Sequence, residues 1–303
     1  MTINRSDIAK QLVPGLNAVF GSEYKSIDNE HTVLFDTESS DRAFEEQVLF
    51  SGLGAAPVKN EGAAVQYDDM TELWTARWTH ETIALAFGIT EEAMEDNLYD
   101  TYSKMQSKAL GRSMATTKQT KASDVFNNGF NTATAYKGGD GVPLFSASHP
   151  TRSAGLQSNT VSADLSETAL ENALINIGLM KDDRDILIGS QAVSLHIPPQ
   201  LIFTATRILK SDLRVGTADN DTNALKEMGY FSKGYHVNHR FTDNNAWFIR
   251  TDVPYGTQMF TRVPLQTRME GDFDTGNMRY KARERYSFGW SNWRNWHGSN
   301  GSS

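Results

Sequence analysis

Three side chains in one short segment match the residue types of a hydrolytic site. Asp140, Ser146 and His149 occur within GGDGVPLFSASHPTRSAG and supply an acid, a hydroxyl and an imidazole. In a Ser-His-Asp site the acid orients the imidazole, which takes the proton of the attacking hydroxyl. Members of such a site normally come from distant positions on a rigid scaffold, whereas this segment is dense in Gly, Ser and Pro. The sequence therefore favours a turn-forming loop and leaves a hydrolase that uses residues 140–149 as an alternative.

Two further groups have the side chains of metal ligands. His236 and His239 are separated by two residues, which in a strand places them on opposite faces, so they do not converge on one ion. Asp182, Asp183 and Asp185 form an acidic cluster that fits a solvated turn better than a cation site. Neither group predicts a metal centre.

No known catalytic motif occurs in the chain, which lacks GxGxxG, GxxxxGK[ST], GxSxG and HExxH. Trp290, Trp293 and Trp296 have the spacing of a base-stacking platform, but Arg294 is the one basic residue among them, which favours packing in a core. We therefore predict that the protein is not an enzyme and has no catalytic, cofactor-binding or metal-binding residues.

Composition narrows the class of protein. The 303 residues carry a formal charge of −8 and no cysteine, which argues against a dedicated nucleic-acid binder and excludes disulfides. The longest apolar run, residues 83–89, is too short to cross a membrane, and the amino terminus does not resemble a signal peptide. Residues 1–50 contain four Lys/Arg against nine Asp/Glu, whereas residues 262–303 contain seven against four. An ordinary mixed surface charge explains this difference, and a contact between the two oppositely charged regions, within a subunit or between subunits, is the alternative.

The elements that hold these residues include one unusually long helix, predicted for residues 90–130. Thr90 can cap its start, Gly129 can end it, and Gly111 is the position where a bend is easiest. The apolar positions expected on its buried face are Met94, Leu98, Tyr102, Met105, Ala109, Ala122, Phe126 and Phe130.

Ahead of this helix, residues 63–87 have the alternation of a β-hairpin that turns near Asp68 and Asp69. One face of its return strand carries Trp74 and Trp78, and we expect this aromatic face to need a partner surface. Residues 1–50 are predicted to be an extended arm. A helix starting at Ser166, a buried strand over residues 186–197, a helix from Pro198 to residue 209 and four strands over residues 235–241, 246–251, 258–269 and 278–290 complete the prediction.

This order of elements, with the phrases DGVPLFSASHP and FGWSNWRNWHGS, resembles the major capsid proteins of tailed bacteriophages, most closely the Mu-type head-subunit branch. The fold is shared with encapsulin shells. The resemblance implies an α+β fold with an N-terminal arm at 1–50, an E-loop hairpin at 51–88, and a spine helix with the first part of the peripheral domain at 89–162. It further implies an axial domain at 163–245, with the remaining peripheral strands and a tail at 246–303.

The implied function is that of the major subunit of an icosahedral head around double-stranded DNA, assembled from hexamers and pentamers in the host cytoplasm and placed in the virion capsid. The implied partners are other copies, the portal and, where present, scaffold or decoration proteins, with no membrane and no sequence-specific DNA contact. No long fused scaffolding segment is recognisable. An encapsulin-like cargo shell is the alternative of the same fold. The residues expected at contacts between subunits are Trp74, Trp78, Arg77, Lys59, Arg283 and Arg285.

Overall fold

The computed structural model describes residues 5–90, 92, 99–213, 221–272 and 276–302. Its helices are α1 (Arg5–Ser26), α2 (His31–Leu34), α3 (Tyr99–Asn127), α4 (Glu167–Gly178), α5 (Ile202–Lys210) and α6 (Ala224–Met228). Three short 3₁₀ turns lie at Thr134–Tyr136, Pro199–Leu201 and Trp293–Asn295. Within the described part of the chain, no helix combines the length and apolarity of a membrane span.

The strands are β1 (Asp36–Ser39), β2 (Phe44–Phe50), β3 (Glu72–Thr79), β4 (Glu81–Ile89), β5 (His149–Pro150), β6 (Leu156–Gln157) and β7 (Thr160–Val161). They continue with β8 (Ala192–Ile197), β9 (Tyr235–Val237), β10 (Trp247–Thr251), β11 (Thr257–Gly271), β12 (Met278–Trp290) and β13 (Trp296–Ser299). One sheet has the order β1-β11-β12-β4, another β7-β13-β10-β8-β9, and two pairs are β2-β3 and β5-β6. The predicted α+β class is confirmed.

The long helix α3 runs without interruption through Gly111, and α1 lies against it. A Cβ at Gly111 would come within 2.9 Å of the Phe20 carbonyl oxygen, so the two backbones approach closely. The hydroxyl of Ser107 donates to the Leu16 carbonyl within this contact. Over residues 5–26 the chain is therefore helical and not extended as predicted, because α1 gains a packed surface on α3. The start of the predicted helix, residues 91 and 93–98, lies outside the described residues.

The buried face of α3 differs from the predicted one at Met105 and Ala109, whereas Met94, Leu98 and the side chain of Tyr102 lie outside the described residues. Met105 and Ala109 are exposed, whereas Ser103, Ser107 and Leu110 are buried. Small side chains face α1 because the close helix contact leaves no room for larger ones. Over the second half the prediction is confirmed for Ala122 and Phe126, and Phe130 packs against the same cluster.

The four-stranded sheet packs one face against these helices. Tyr280 and Ala282 of β12 are buried with Leu16, Phe20 and Met114. Also on this inner face, Glu284 accepts hydrogen bonds from the Tyr24 hydroxyl and the Lys118 ammonium. Burial raises the pKa of Glu284, and the nearby Lys118 partly opposes the rise. The opposite face of this sheet is called the outer face below.

The five-stranded sheet contains the main apolar core, and the C-terminal strand β13 lies inside it between β7 and β10. Trp293 and Trp296 are fully buried, as the packing interpretation of the Trp spacing predicted. The predicted helix start at Ser166 is confirmed, since its hydroxyl caps α4 by accepting from the Ala169 N–H. The last four predicted strands are found as β9, β10, β11 and β12.

The hairpin differs from its prediction. Strand β3 pairs in an antiparallel register with β2, from Phe44 opposite Thr79 to Phe50 opposite Glu72, and not with residues 63–70. Residues 51–71, called the loop 51–71 below, contain no strand. The outgoing strand thus begins seven residues before Ser51, in a segment where Phe44, Val48 and Phe50 stand on one face. The hairpin β2-β3 covers one end of the outer face.

Candidate assembly surfaces

The segment with hydrolase-type residues forms a closed hydrogen-bond network. A carboxylate oxygen of Asp140 lies 2.7 Å from Nδ1 of His149, and both side chains are fully buried. Nε2 of His149 lies 3.1 Å from Oδ1 of Asn159. The Asn159 amide group is oriented by donating to the carbonyls of Leu144, Trp293 and Trp296. Ser146 Oγ instead lies 3.4 Å from Ser148 Oγ. The imidazole nitrogen that would activate a nucleophile therefore faces an amide oxygen.

The same imidazole takes part in a buried stack. The His149 ring lies parallel to Trp293 with centroids 4.2 Å apart, and the Arg294 guanidinium lies 4.4 Å from the Trp293 ring centre. Arg294 also faces Asp183 at 3.4 Å. Burial lowers the pKa of Arg294 and raises that of Asp183, and each charge partly offsets the shift of the other. This stack joins the segment 140–149 to the turn at 181–185 and the C-terminal segment.

The other predicted ligand groups engage separate partners. Asp182 accepts from the backbone N–H groups of Arg184 and Ile186, each at 2.8 Å, which is the geometry of a turn. Across the described ranges, no group of three or more His, Cys, Asp or Glu side chains converges as in a metal site.

The two histidines likewise stay apart. The His236 ring lies 5.2 Å from that of His196, whereas Nδ1 of His239 lies 2.7 Å from a carboxylate oxygen of Glu30. Burial lowers the pKa of His236 and, more strongly, that of His196. Their contacts tie β9 to β8 and the following turn to the segment before α2.

The aromatic face of β3 is covered by the chain itself. Trp78 is 2% exposed and packs edge-on against Phe260, with ring centroids 5.2 Å apart. A Cβ at Gly289 would lie 2.5 Å from Nε1 of Trp78, so the glycine makes room for the indole. Trp74 is partly buried against the main core. The aromatic face thus has a partner surface, which for Trp78 is the outer face of the sheet in its own chain.

The loop 51–71 is the most exposed apolar part of the chain that can be described. Its exposed large apolar side chains are Leu53, Val58, Val65, Tyr67 and Met70. Lys59 also lies exposed in this loop. The base of the loop is held by Asp68, which accepts from the Gly54 N–H at 2.8 Å and pairs with Arg184. The Gly54 hydrogen bond and the Arg184 pair lower the pKa of Asp68. These contacts fix where the apolar tip is presented.

Charge separates the hairpin from the outer face. The region 36–72 contains nine Asp/Glu against Arg42 and Lys59. On the outer face, Arg279, Lys281, Arg283 and Arg285 follow every second position of β12 and are called the basic row. Arg283 is exposed and Arg285 half-buried. Arg77 is 55% exposed and lies over the Phe44 ring and 3.7 Å from Glu46. Two oppositely charged surfaces thus lie on different parts of one chain.

Neither the strand β2 nor the ion pair between Asp68 and Arg184 was predicted from the sequence. The exposed residues of β2 alternate with less exposed ones, but the string FEEQVLF has no regular alternation of apolar and polar residues, so this strand is not apparent from the sequence. The pair of Asp68 and Arg184 is separated by 116 positions and leaves no local pattern.

A family profile and several solved structures all relate this chain to capsid or virus-like particle proteins. The sequence profile of a family described as phage capsid protein matches residues 74–297. A search of curated protein sequences found no match. Among solved structures, a virus-like particle from Pyrococcus furiosus aligns with TM-score 0.56 and 10% identity over 94% of this chain and 98% of that chain. The capsid of an empty GTA particle aligns with TM-score 0.56 and 12% identity over 91% of each chain. The capsid of the cyanophage P-SCSP1u aligns with TM-score 0.56 and 13% identity over 89% and 87%.

At these identities the structural likeness shows the fold, and the profile shows the family. The matched residues make up more than half of the chain and extend from β3 to β13. The predicted resemblance to tailed-phage capsid proteins and the predicted capsid fold are both confirmed. The chain belongs to the phage capsid protein family and is a subunit of the head shell.

Proposed function

We propose that many copies of this chain close into an icosahedral head of hexamers and pentamers that encloses double-stranded DNA. We place the protein in the virion capsid and its assembly in the host cytoplasm. Its proposed partners are a portal and, where present, scaffold or decoration proteins. The observation that carries the proposal is the exposed loop 51–71. Because the chain belongs to a family of shell subunits, the exposed apolar side chains of this loop are suited to burial against another copy of the chain.

The division into arm, E-loop, spine helix, peripheral domain and axial domain is proposed with the boundaries predicted above, except that the E-loop starts earlier, at β2. Strands β8 and β9 from the predicted axial part share a sheet with β10 and β13.

The proposed contacts between subunits involve the exposed members of the predicted set. Lys59, Arg77 and Arg283 are exposed and Arg285 is half-buried, so their charges are available to an acidic neighbour. Trp74 and Trp78 remain predictions as contact residues, but their packing within the chain favours a role in holding the hairpin to its own sheet.

A non-catalytic role is proposed as well. It is supported by the geometry at His149, whose Nε2 faces Asn159 and not Ser146. A hydrolase would lose turnover in Ser146→Ala and in His149→Gln alike. We expect instead that Ser146→Ala leaves shell yield unchanged while His149→Gln lowers it, because only the latter breaks the buried network.

The enclosed content distinguishes a phage head from a cargo shell of the same fold. Particles purified from phage-producing cells and treated with nuclease should retain double-stranded DNA. Particles that contain a folded protein and no DNA would support the cargo shell and contradict the proposal.

A further inference from the structure

The middle of the long helix α3 is basic in a chain that is acidic overall. Residues 101–123 contain five Lys/Arg and no Asp or Glu, whereas the whole chain has a formal charge of −8. Two of the five cations, Lys118 and Lys121, pair with acidic groups of β12 and β4. The other three are in the first half of this stretch. Their positive charge is therefore concentrated on a short part of the helix.

These three cations lie along the exposed side of α3. Lys104, Lys108 and Arg112 follow each other at intervals of four residues, all three are exposed, and they are called the α3 row below. Successive members are about 6 Å apart along the helix axis, and the row turns by about 80° around it. Glu23 of α1 lies 4.0 Å from Nε of Arg112, and the Arg112 side chain is 74% exposed, so this acid offsets the charge only weakly.

The helix itself does not compensate the last two cations. The positions three and four residues away from Lys108 and Arg112 hold no acidic side chain. Surface helices commonly place opposite charges at these distances, where they stabilise the helix. A row of like charges at the same spacing instead costs some helix stability. The arrangement is therefore better suited to an external anion than to the stability of the helix.

Hydroxyl groups continue the row and indicate the kind of anion. Thr116 and Thr120 extend the interval of four residues, Ser113 lies beside them, and all three are exposed. Lysine, arginine, serine and threonine side chains are the groups that contact phosphate oxygens in protein–DNA complexes. Residues 103–123 contain no aromatic ring of the kind that stacks on unpaired bases. This surface is therefore suited to the phosphate backbone of a duplex.

The distribution of charge over the subunit favours the helix side for such a contact. The acidic hairpin β2-β3 covers one end of the outer face, on which the basic row of β12 lies. The helix α3 packs on the opposite face of the same sheet. A polyanion that approaches the basic row meets the acidic hairpin beside it, whereas one that approaches the α3 row does not.

We propose that the α3 row binds phosphate groups of the enclosed double-stranded DNA. This inference rests on the proposed shell function and identifies the surface of the subunit that contacts the DNA. Three cations per copy make a weak contact that salt screens and that does not depend on base sequence. Its repetition over many copies holds the DNA without a strong site on any one of them.

The salt dependence of DNA binding tests this contact. Each phosphate that a surface neutralises contributes about −0.9 to the slope of log K against log salt concentration. The row variant, Lys104→Gln with Lys108→Gln and Arg112→Gln, removes three charges and keeps the helix propensity, because glutamine forms helices about as well as lysine and arginine. Binding of a fluorescent mixed-sequence duplex to the unassembled subunit is measured by anisotropy, from low salt upward.

A matched control removes the same charge from the outer face. Arg268, Lys281 and Arg283 are exposed there, and Arg268 lies directly opposite Lys281 on the neighbouring strand. The control variant replaces all three by glutamine. Polyglutamate serves as a second probe, because an acidic protein segment has the charge of DNA without its phosphates.

We expect the slope of the row variant to be shallower than that of the wild type by about 2.7, and the slope of the control to equal that of the wild type. A fourfold rise in salt then weakens DNA binding about 40-fold more in the wild type than in the row variant. Duplexes of unrelated sequence should bind alike.

Three results would contradict the account. Equal slopes for the wild type and the row variant, or a slope reduced in the control alone, would overturn the site. Tighter binding of polyglutamate than of the duplex at the same salt would overturn DNA as the occupant. Both results leave the shell function intact, since electron microscopy of the wild type tests it separately. A wild-type chain that forms no shell would overturn the proposed function, and with it the enclosed DNA.

Discussion

Replacing Trp78 by alanine separates packing within the subunit from packing between subunits. The indole is 2% exposed and lies against Phe260 and Gly289 of its own chain. Truncating a buried tryptophan costs about 3–5 kcal/mol of unfolding free energy. Nε1 of Trp78 has no hydrogen-bond partner among the described residues, and removing an unpaired buried donor returns about 1–3 kcal/mol. Subtracting the return from the cost, we expect a net loss of about 2 kcal/mol.

The loss is to be measured by urea unfolding of the unassembled subunit, below the concentration at which shells form, with circular dichroism as the signal. Trp78→Phe retains a ring and removes the unpaired donor, so it should cost less than about 1.5 kcal/mol. Arg77→Ala, at the adjacent exposed position, should change the free energy by no more than about 1 kcal/mol. If Trp78→Ala leaves the unassembled subunit within about 1 kcal/mol of wild type but abolishes shells, the indole packs on a neighbour and the reasoning is wrong.

Three further changes have defined outcomes. Gly111→Ala places a methyl group against the Phe20 carbonyl and should destabilise the subunit by about 1–3 kcal/mol in urea titrations, with α1 becoming accessible to protease; equal protease resistance would contradict the close contact. Burial lowers the pKa of His297 to about 4, against about 6.5 in the unfolded chain. Its neutral ring therefore contributes fully to the free energy of unfolding above pH 6.5. That contribution falls by about 1.4 kcal/mol per pH unit as the pH drops from 6.5 toward 4, because the unfolded chain then binds a proton that the folded chain does not. In His297→Leu the dependence of unfolding free energy on pH over that range should be flatter, and an unchanged slope would show that other groups cause it. Asn159→Ala leaves three backbone carbonyls and Nε2 of His149 without their partner and should cost about 2–4 kcal/mol by thermal or urea unfolding, whereas a loss below about 1 kcal/mol would mean that water replaces the amide.

Patterns that depend on neighbouring residues in the sequence predicted much of the fold. The predicted strand over residues 278–290 has the bounds of β12, and Ser166 caps α4 as expected. Alternation and capping are local properties, so they survive without knowledge of the tertiary contacts.

The failures all involve contacts between distant segments. Ser103 and Ser107 are buried although they are polar, because α1 approaches α3 closely at Gly111. A hydrophobic pattern predicts larger residues at such positions, and it selected the exposed Met105 instead. The predicted hairpin lies too late in the sequence, because its true first strand, β2, is in a strongly acidic segment whose exposed face is partly apolar.

The sequence predicts the charge of the proposed assembly surfaces but not their positions in the fold. The acidic first fifty residues and the basic C-terminal region were evident from composition, and the structure places Arg283 on the outer face. The position of β4 at the edge of its sheet could not be recognised, since which strand is last in a sheet depends on long-range pairing.

The central claim is that this chain is the repeating subunit of a closed shell, and electron microscopy of the purified chain tests it most directly. Over a range of protein concentrations we expect closed particles, tens of nanometres across, whose repeating unit fits the fold described here with β2-β3 reaching a neighbouring subunit. A chain that remains a stable monomer at every concentration and ionic strength would contradict the claim.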